Sequence, residues 1–360
     1  MRGIPGQSCL PVLRVVTRAS YRRPNMKRIL HVGMGPLGVR IVQDLHEREV
    51  GHVVAAVDSS PALAGTKFSK LVGGGPGVNP EMKIAGSLDE IDNWSQIDCA
   101  VVTTASDLAK CADTLRFLLK KGKPIVSTCE ELVYPWLRHV ALAEELDELA
   151  IAHGGRLLGT GVNPGFLMDA LPAFVTCVSK SVRSVKVQRV QDASVRRIPF
   201  QQKIGAGLDD AAFNAKVRDG SLRHVGLGES LHFLAHYLGL TIERWDEDLA
   251  PVRADRDVVS GVGPIPRGRI AGVRQIARGY HDERVVVSLE FIAAVGHQES
   301  FDRIVVDGEP PLDVIIPGGV HGDVATSSIV INSIPRIMEA KPGLHTMATI
   351  APPFFVQRSL

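Results

Sequence analysis

The chain has 360 residues, enough for two domains or one large one. Hydrophobic residues make up 45% and charged residues 22%, which fits a soluble globular core, and a net charge of +2 with 5% aromatics gives no basis for a nucleic-acid partner or for base-stacking platforms. The five cysteines (Cys9, Cys99, Cys111, Cys129 and Cys177) show no C-x-x-C spacing, so neither a disulfide framework nor a metal is expected and a reducing, cytoplasmic setting fits best.

Residues 1–25, MRGIPGQSCLPVLRVVTRASYRRPN, hold five arginines and no acid. They resemble an organellar transit peptide. Met26 directly precedes the first good strand, however, so the segment is read as a leader ahead of the true start and excluded from the fold. KRILHVGMGPLG then reads as a buried strand, a glycine turn and a helix start. GHVVAAVDSS is a second strand ending in an acid. CAVVTTAS is a third, followed by an amphipathic helix, DLAKCADTLRFLLKKG. KPIVSTCEE is the next strand, and HVALAEELDELAIAHGG a long helix ended by Gly154. Strands alternating with helices of this length imply a parallel sheet covered on both faces.

After RLLGTGVNPGFLMD the pattern changes. SVRSVKVQRVQDAS and ERVVVSLEFIAAVG are β-rich without regular intervening helices. The expected fold class is α/β: a Rossmann-type, doubly wound parallel sheet followed by an α+β domain with a mixed sheet. HGDVATSSIVINSIPRIMEA is helix-like again, with Pro335 expected to kink it. Residues 26–163 are assigned to an NAD(P)-binding domain, completed by a returning helix within 321–345. Residues 164–320 are assigned to substrate binding and dimerisation. No apolar run approaches the roughly 20 residues of a membrane span, so no membrane partner is expected.

Gly33-Met34-Gly35-Pro36-Leu37-Gly38 is a G-x-G-x-x-G motif, which alone is weak. Here it follows a strand, opens a helix, and has Asp58 at the end of the next strand, 20 residues past Gly38. That context makes it a dinucleotide fingerprint. Asp58 is expected to accept from a ribose hydroxyl, which favours NAD. Ser59, Ser60 and Lys67 leave NADP open. Thr103, Thr104 and Ser106, at the end of a later strand, either face the cofactor or cap the helix that starts at DLAKCAD. Cys129 is placed among the cofactor contacts.

Glu130 and Glu131 stand where small polar residues are usual. A capping box, Ser127 with Glu130 or Thr128 with Glu131, accounts for one glutamate but not comfortably for both. The other faces the crevice at the carboxyl ends of the strands. Asn163, in a turn before Pro164 and Gly165, is assigned to the nicotinamide amide or the substrate, against a self-capping turn asparagine. Trp136 and Phe200 are candidate pocket walls. His321 and Thr326, which precede the returning helix, are further pocket candidates, and Asp323 is a candidate cap for that helix.

Four stretches, STCEELVYPW, GTGVNPGFLMD, QQKIGAGLDDAAF and HGDVATSSIVINSIPRI with KPGLHTM, together resemble the 2,4-diaminopentanoate dehydrogenase group. That group includes the native amine dehydrogenases and is related to dihydrodipicolinate reductase. The resemblance covers roughly residues 26 to 350, in order. It implies an NAD- or NADP-dependent enzyme interconverting an amine with a ketone or aldehyde plus ammonia. It also implies a homodimer, and a glutamate of the CEE segment that serves the amine. Glu130, nearer the strand end, is preferred for that role, with Glu131 as a cap. The chain lacks the paired histidines of dihydrodipicolinate reductase, which puts that activity in doubt. Arg196, Arg197 or Lys203 would have to anchor a carboxylate for diaminopentanoate itself, so a small aliphatic or cyclic carbonyl is favoured. A dinucleotide-binding sensor without turnover is the alternative from another class.

Overall fold

The computed structural model describes residues 26–75 and 77–357. The arginine-rich leader lies outside them. The chain first alternates β1 (Lys27–Val32), α1 (Pro36–Glu47), β2 (Gly51–Val57), α2 (Phe68–Val72), β3 (Cys99–Val102), α3 (Leu108–Lys120), β4 (Pro124–Ser127), α4 (Val140–His153) and β5 (Arg156–Gly159). It continues through α5 (Ala170–Val175), β6 (Ser181–Asp192), α6 (Ile198–Lys203), α7 (Asp210–Arg218), α8 (Leu227–Leu238) and β7 (Arg244–Arg253). A small hairpin, β8 (Val258–Ser260) and β9 (Gly263–Ile265), precedes the long strands β10 (Ile270–His281), β11 (Arg284–Ala294), β12 (Phe301–Glu309) and β13 (Leu312–Pro317). The chain then returns through α9 (Gly322–Glu339) and β14 (Gly343–His345).

Among the described residues, the first sheet has the order β14-β5-β4-β3-β1-β2, with every pairing parallel. Its central strands are buried on both faces, which is why they read as unbroken apolar runs. α1 and α9 pack on one face, α3 and α4 on the other. Strand order reverses between β1 and β3, so the crevice opens at the carboxyl ends of those strands.

The second sheet has the order β13-β12-β6-β11-β10-β7 and is mixed: β6 and β11 are parallel, and the other pairings antiparallel. This half is the α+β domain expected, but three helices, α6, α7 and α8, stand between β6 and β7, where the β-rich stretches showed no regular intervening helices. α8 covers the sheet, setting Leu227, Leu231 and Leu234 against Val185, Val187 and Leu289. Phe233 of the same helix points into the core of the first sheet. A helix buried between two cores is apolar on more than one side and shows no clean stripe, so its sequence does not announce it. α9 runs through Pro335 to Glu339, and β14 after it adds an edge strand to the parallel sheet that the sequence reading had not separated from the returning helix.

Candidate active site

The turn between β1 and α1 is built by close approach. Gly33 has φ +94°, and a Cβ on Gly38 would lie 2.1 Å from the Gly33 carbonyl oxygen. A Cβ on Gly35 would meet nothing within 4 Å, so there the backbone faces open space. Pro36 opens α1 without an orphan N–H of its own, and the following N–H groups and the positive helix end face the same space. These features fit the pyrophosphate of a dinucleotide.

Two side chains brace the turn from below. Thr103 Oγ1 donates to the Gly33 carbonyl at 2.7 Å, so its lone pairs receive His31 Nε2 at 3.2 Å, and His31 carries its proton on Nε2. His31 is fully buried, and burial pulls its pKa down to about 4. The unfolded chain therefore binds a proton that the folded one refuses between pH ~6.5 and ~4. Stability is present above the upper value and falls as pH drops through this window, by about 3 kcal/mol from His31 alone. Urea titrations from pH 7 to pH 4 check this: the loss should be about 3 kcal/mol smaller in His31→Gln, with the part that buried His224 contributes over the same window left in place, and an equal loss in that variant contradicts the assignment.

A cavity of 520 Å³ lies on the β2 side of the turn, lined by Gly33, Gly35, Asp58, Ser59, Thr103 and Thr104 among others. Asp58 accepts from the Met34 N–H at 2.7 Å and the Ser60 N–H at 2.8 Å. A second cavity of 360 Å³ lies across the turn, where Pro36 and Leu37 meet Glu130, Asn163, Phe200 and Thr326. The glycine turn thus stands between two cavities, and a dinucleotide laid across the turn would reach both.

The adjacent glutamates part company here. β4 is followed by a 3₁₀ turn, Glu130–Val133, and the helix expected after the acids begins at Val140 as α4. Neither capping box forms. Instead Glu131, 9% exposed, turns inward. Its Oε2 accepts the N–H of Leu108, the first residue of α3, at 2.8 Å and meets His139 Nε2 at 2.8 Å. It therefore caps the helix before it in the chain, not the one after it. Glu130 lines the second cavity, and among the described residues its side chain has no hydrogen-bond partner.

Several expected contacts fall elsewhere. Thr103 and Ser106 do not cap α3; Asp107 does, accepting from the Lys110 N–H. The Ser106 carbonyl instead accepts from Cys129 Sγ at 3.1 Å and the Glu131 N–H at 3.2 Å. Cys129 is 1% exposed and lines neither cavity, because its thiol points back to that carbonyl. Thr104 Oγ1 lies 3.5 Å from Cys111 Sγ while facing the first cavity. Trp136 packs edge-on against Tyr134 at 5.4 Å and is absent from the cavity wall. His321 is exposed and only precedes α9. Asp323 does not cap that helix: it pairs with Arg196 at 3.3 Å and Arg197 at 3.5 Å.

Asn163 stands in the turn that follows β5. It lines the second cavity, and both its amide nitrogen and its amide oxygen are buried without a partner. Its turn is held by the buried Asp169, which accepts from the Gly165 N–H at 2.6 Å and the Ser230 hydroxyl at 2.8 Å. Thr326 Oγ1 accepts from the Val162 N–H at 3.3 Å. Buried amides without partners are rare, and this one suits a ligand carboxamide.

The cavity also holds residues that sequence reasoning missed. Arg189, Gln191 and His224 line it. Arg189 and Gln191 continue the inward phase of β6 set by Val185 and Val187, so a charge on the buried phase of a strand was a readable signal. His224 gave none. Its ring stacks on Phe291 at 4.6 Å, and burial beside Lys203, Arg189 and Arg196 pulls its pKa down to about 3. Unpaired nitrogens remain on Gln191 (Nε2), Arg196 (Nε) and His224 (Nε2).

Residues 166–358 match the family model for the 2,4-diaminopentanoate dehydrogenase C-terminal domain. Over 332 residues the chain is 27% identical to the 2,4-diaminopentanoate dehydrogenase of Acetoanaerobium sticklandii, covering 91% of this chain and 94% of that protein. It is 19% identical over 299 residues to an amine dehydrogenase of Streptomyces virginiae, covering 72% of this chain and 83% of the other. The solved amine dehydrogenase of Mycobacterium smegmatis superposes with a TM-score of 0.79 at 22% identity, covering 93% of this chain and 99% of that one, which shows a shared fold.

Proposed function

Because the chain belongs to the 2,4-diaminopentanoate dehydrogenase family, we propose that it is an amine-acting oxidoreductase that interconverts a primary amine with a carbonyl and ammonia, using a nicotinamide dinucleotide. The observation that carries this reading is Glu130: an unpaired carboxylate in a cavity that abuts the dinucleotide turn. A sensor without turnover has no need of such a group.

Gly33, Gly35 and the N-terminus of α1 would hold the pyrophosphate, Asp58 a ribose, and Asn163 the carboxamide. When bound, the dinucleotide supplies the hydride acceptor or donor for the carbon that bears nitrogen. The chain's own residues handle protons and charge. In deamination, Glu130 takes a proton from the substrate ammonium and passes it to solvent, which restores the carboxylate and leaves a free amine that can push electrons toward the departing hydride. The carboxylate then faces the iminium carbon's positive charge and stabilises it. It next accepts a proton from the attacking water and returns it to the leaving ammonia. Glu131 holds α3 in place and leaves its neighbour free.

A second reading of the substrate has one observation in its favour. The unpaired nitrogens on Gln191 and Arg196 are both N–H donors, and Lys203, which makes no ion pair among the described residues, lines the same wall. Donors without acceptors suit a carboxylate better than a bare alkyl group. Cyclohexanone, isobutyraldehyde and a five-carbon keto acid, each with reduced cofactor in ammonium buffer, test both readings. Turnover of the uncharged carbonyls supports the small-carbonyl reading, and a strong preference for the keto acid selects the second. Failure of all three in ammonium counts against the function.

A homodimer is part of the same proposal. β7 forms one edge of the second sheet and carries Arg244, Asp246, Glu247, Asp248 and Pro251, a composition that discourages pairing there, so the opposite edge, β13, or the sheet face is left for a second copy. Light scattering should return twice the chain mass at micromolar concentration, and a monomer mass removes this element.

A further inference from the structure

We propose that Asp169 and Ser230 are positioning residues for the nicotinamide ring, acting through Asn163, an inference that rests on the dinucleotide reading above. The amide of Asn163 is buried in the wall of the second cavity and makes no hydrogen bond among the described residues. Its aim is therefore set by its backbone, which is held on both sides. Upstream, the Val162 N–H donates to Thr326 Oγ1 at 3.3 Å. Downstream, Asp169 Oδ2 accepts the Gly165 N–H at 2.6 Å and the Ser230 hydroxyl at 2.8 Å.

Asp169 and Ser230 are both fully buried. No lysine, arginine or histidine among the described residues pairs with this carboxylate; its partners are the Gly165 and Ala170 N–H groups and one hydroxyl. Burial pushes the carboxyl up, against the pull of those donors. A buried acid without a countercharge is costly, and an uncharged serine or asparagine would suffice to cap α5. What the carboxylate adds is a tie from the Asn163 turn to α8.

That tie is reinforced by contact. Ser230 lies one helical turn from Gly226, its N–H donating to the Gly226 carbonyl at 2.9 Å. A Cβ on Gly226 would lie 2.3 Å from Pro164 Cγ, so this face of α8 presses on the residue next to Asn163. α8 itself is lodged between the two cores. The seat of the nicotinamide is thus steadied from the second half of the chain, whereas the pyrophosphate turn belongs to the first.

Isothermal titration calorimetry of the full chain with NAD and with ADP-ribose, which lacks the nicotinamide, tests this without any turnover. Ser230→Ala leaves no buried donor unmet and keeps both N–H bonds to Asp169. It should lower NAD affinity about 5-fold and leave ADP-ribose affinity within about 2-fold. Asp169→Asn and Asn163→Ala should each cost NAD about 10-fold, again with ADP-ribose nearly unmoved. Asn163→Ala combined with Ser230→Ala should lose no more than Asn163→Ala alone, because both act on one contact. Where Asp169→Asn fails to fold, Ser230→Ala alone decides. Parallel losses for both ligands mean a structural role only and overturn the inference, as does unchanged NAD affinity. Losses that add in the double variant overturn the action through Asn163. In each of these cases the dinucleotide reading stands. Binding of neither ligand by the unaltered chain removes both the inference and the reading beneath it.

Discussion

Replacing Glu130 by glutamine is expected to lower kcat for ammonia-dependent turnover by about 10²- to 10⁴-fold, the usual range for a general acid–base group. Glutamine keeps the shape and a hydrogen-bonding oxygen but cannot exchange the proton or balance an iminium charge. NAD affinity should barely move, since Asp58 and the glycine turn lie on the far side of Pro36 and Leu37. Glu131→Ala provides the contrast. It strips the acceptor from the Leu108 N–H and from His139, both held at 2.8 Å. An unmet buried donor costs about 1–3 kcal/mol, so this variant should melt earlier yet keep turnover per folded molecule within a few-fold. Urea titration alongside steady-state kinetics separates the two. If Glu131→Ala abolishes turnover at unchanged stability while Glu130→Gln retains it, the roles are exchanged.

Arg189→Met is expected to destabilise the chain by about 3–5 kcal/mol, a large share of the stability of an ordinary domain. Arg189 is 2% exposed and its partner Asp302 5%. Arg189 Nη1 meets Asp302 Oδ1 at 2.7 Å, while Nη2 donates to the Val320 carbonyl at 2.8 Å. Asp302 Oδ2 accepts the Val320 N–H at 2.8 Å. The pair therefore clamps both backbone groups of one residue, just ahead of α9. Burial pulls the Arg189 guanidinium down and pushes the Asp302 carboxyl up, each opposed by the other's charge. Methionine leaves Asp302 buried and uncompensated. Arg189→Met with Asp302→Leu should recover much of the loss, because buried pairs are often replaceable by apolar residues of similar volume. Chemical denaturation of the single and double variants checks this, and a single variant as stable as the parent refutes it.

The first sheet was legible because parallel strands covered on both faces must be apolar throughout, and GHVVAAV and CAVV are. The glycine turn was legible because its spacing is set by sterics that only glycine meets. α8 was not, since a helix between two cores loses the one-sided pattern that sequence reading relies on. The pairing of Glu131 with α3 was also hidden: its N–H partner lies 23 residues earlier, and only the adjacency of β3 and β4 brings them together. Asn163 could be singled out from its turn, but its two unmet amide atoms belong to tertiary structure. Cys129 and Trp136 were drawn in by closeness in sequence to the acids, and each turns away because the chain coils into a 3₁₀ turn there.

The proposed reaction brings a carbonyl, ammonia and a reduced nicotinamide dinucleotide together at Glu130. The most direct measurement is the absorbance of reduced nicotinamide during incubation of the unaltered chain with the carbonyl panel, in matched buffers with and without ammonium. Consumption should require ammonium, rise with its concentration to saturation, and yield the corresponding primary amine. Consumption that proceeds equally without ammonium and yields an alcohol would contradict it.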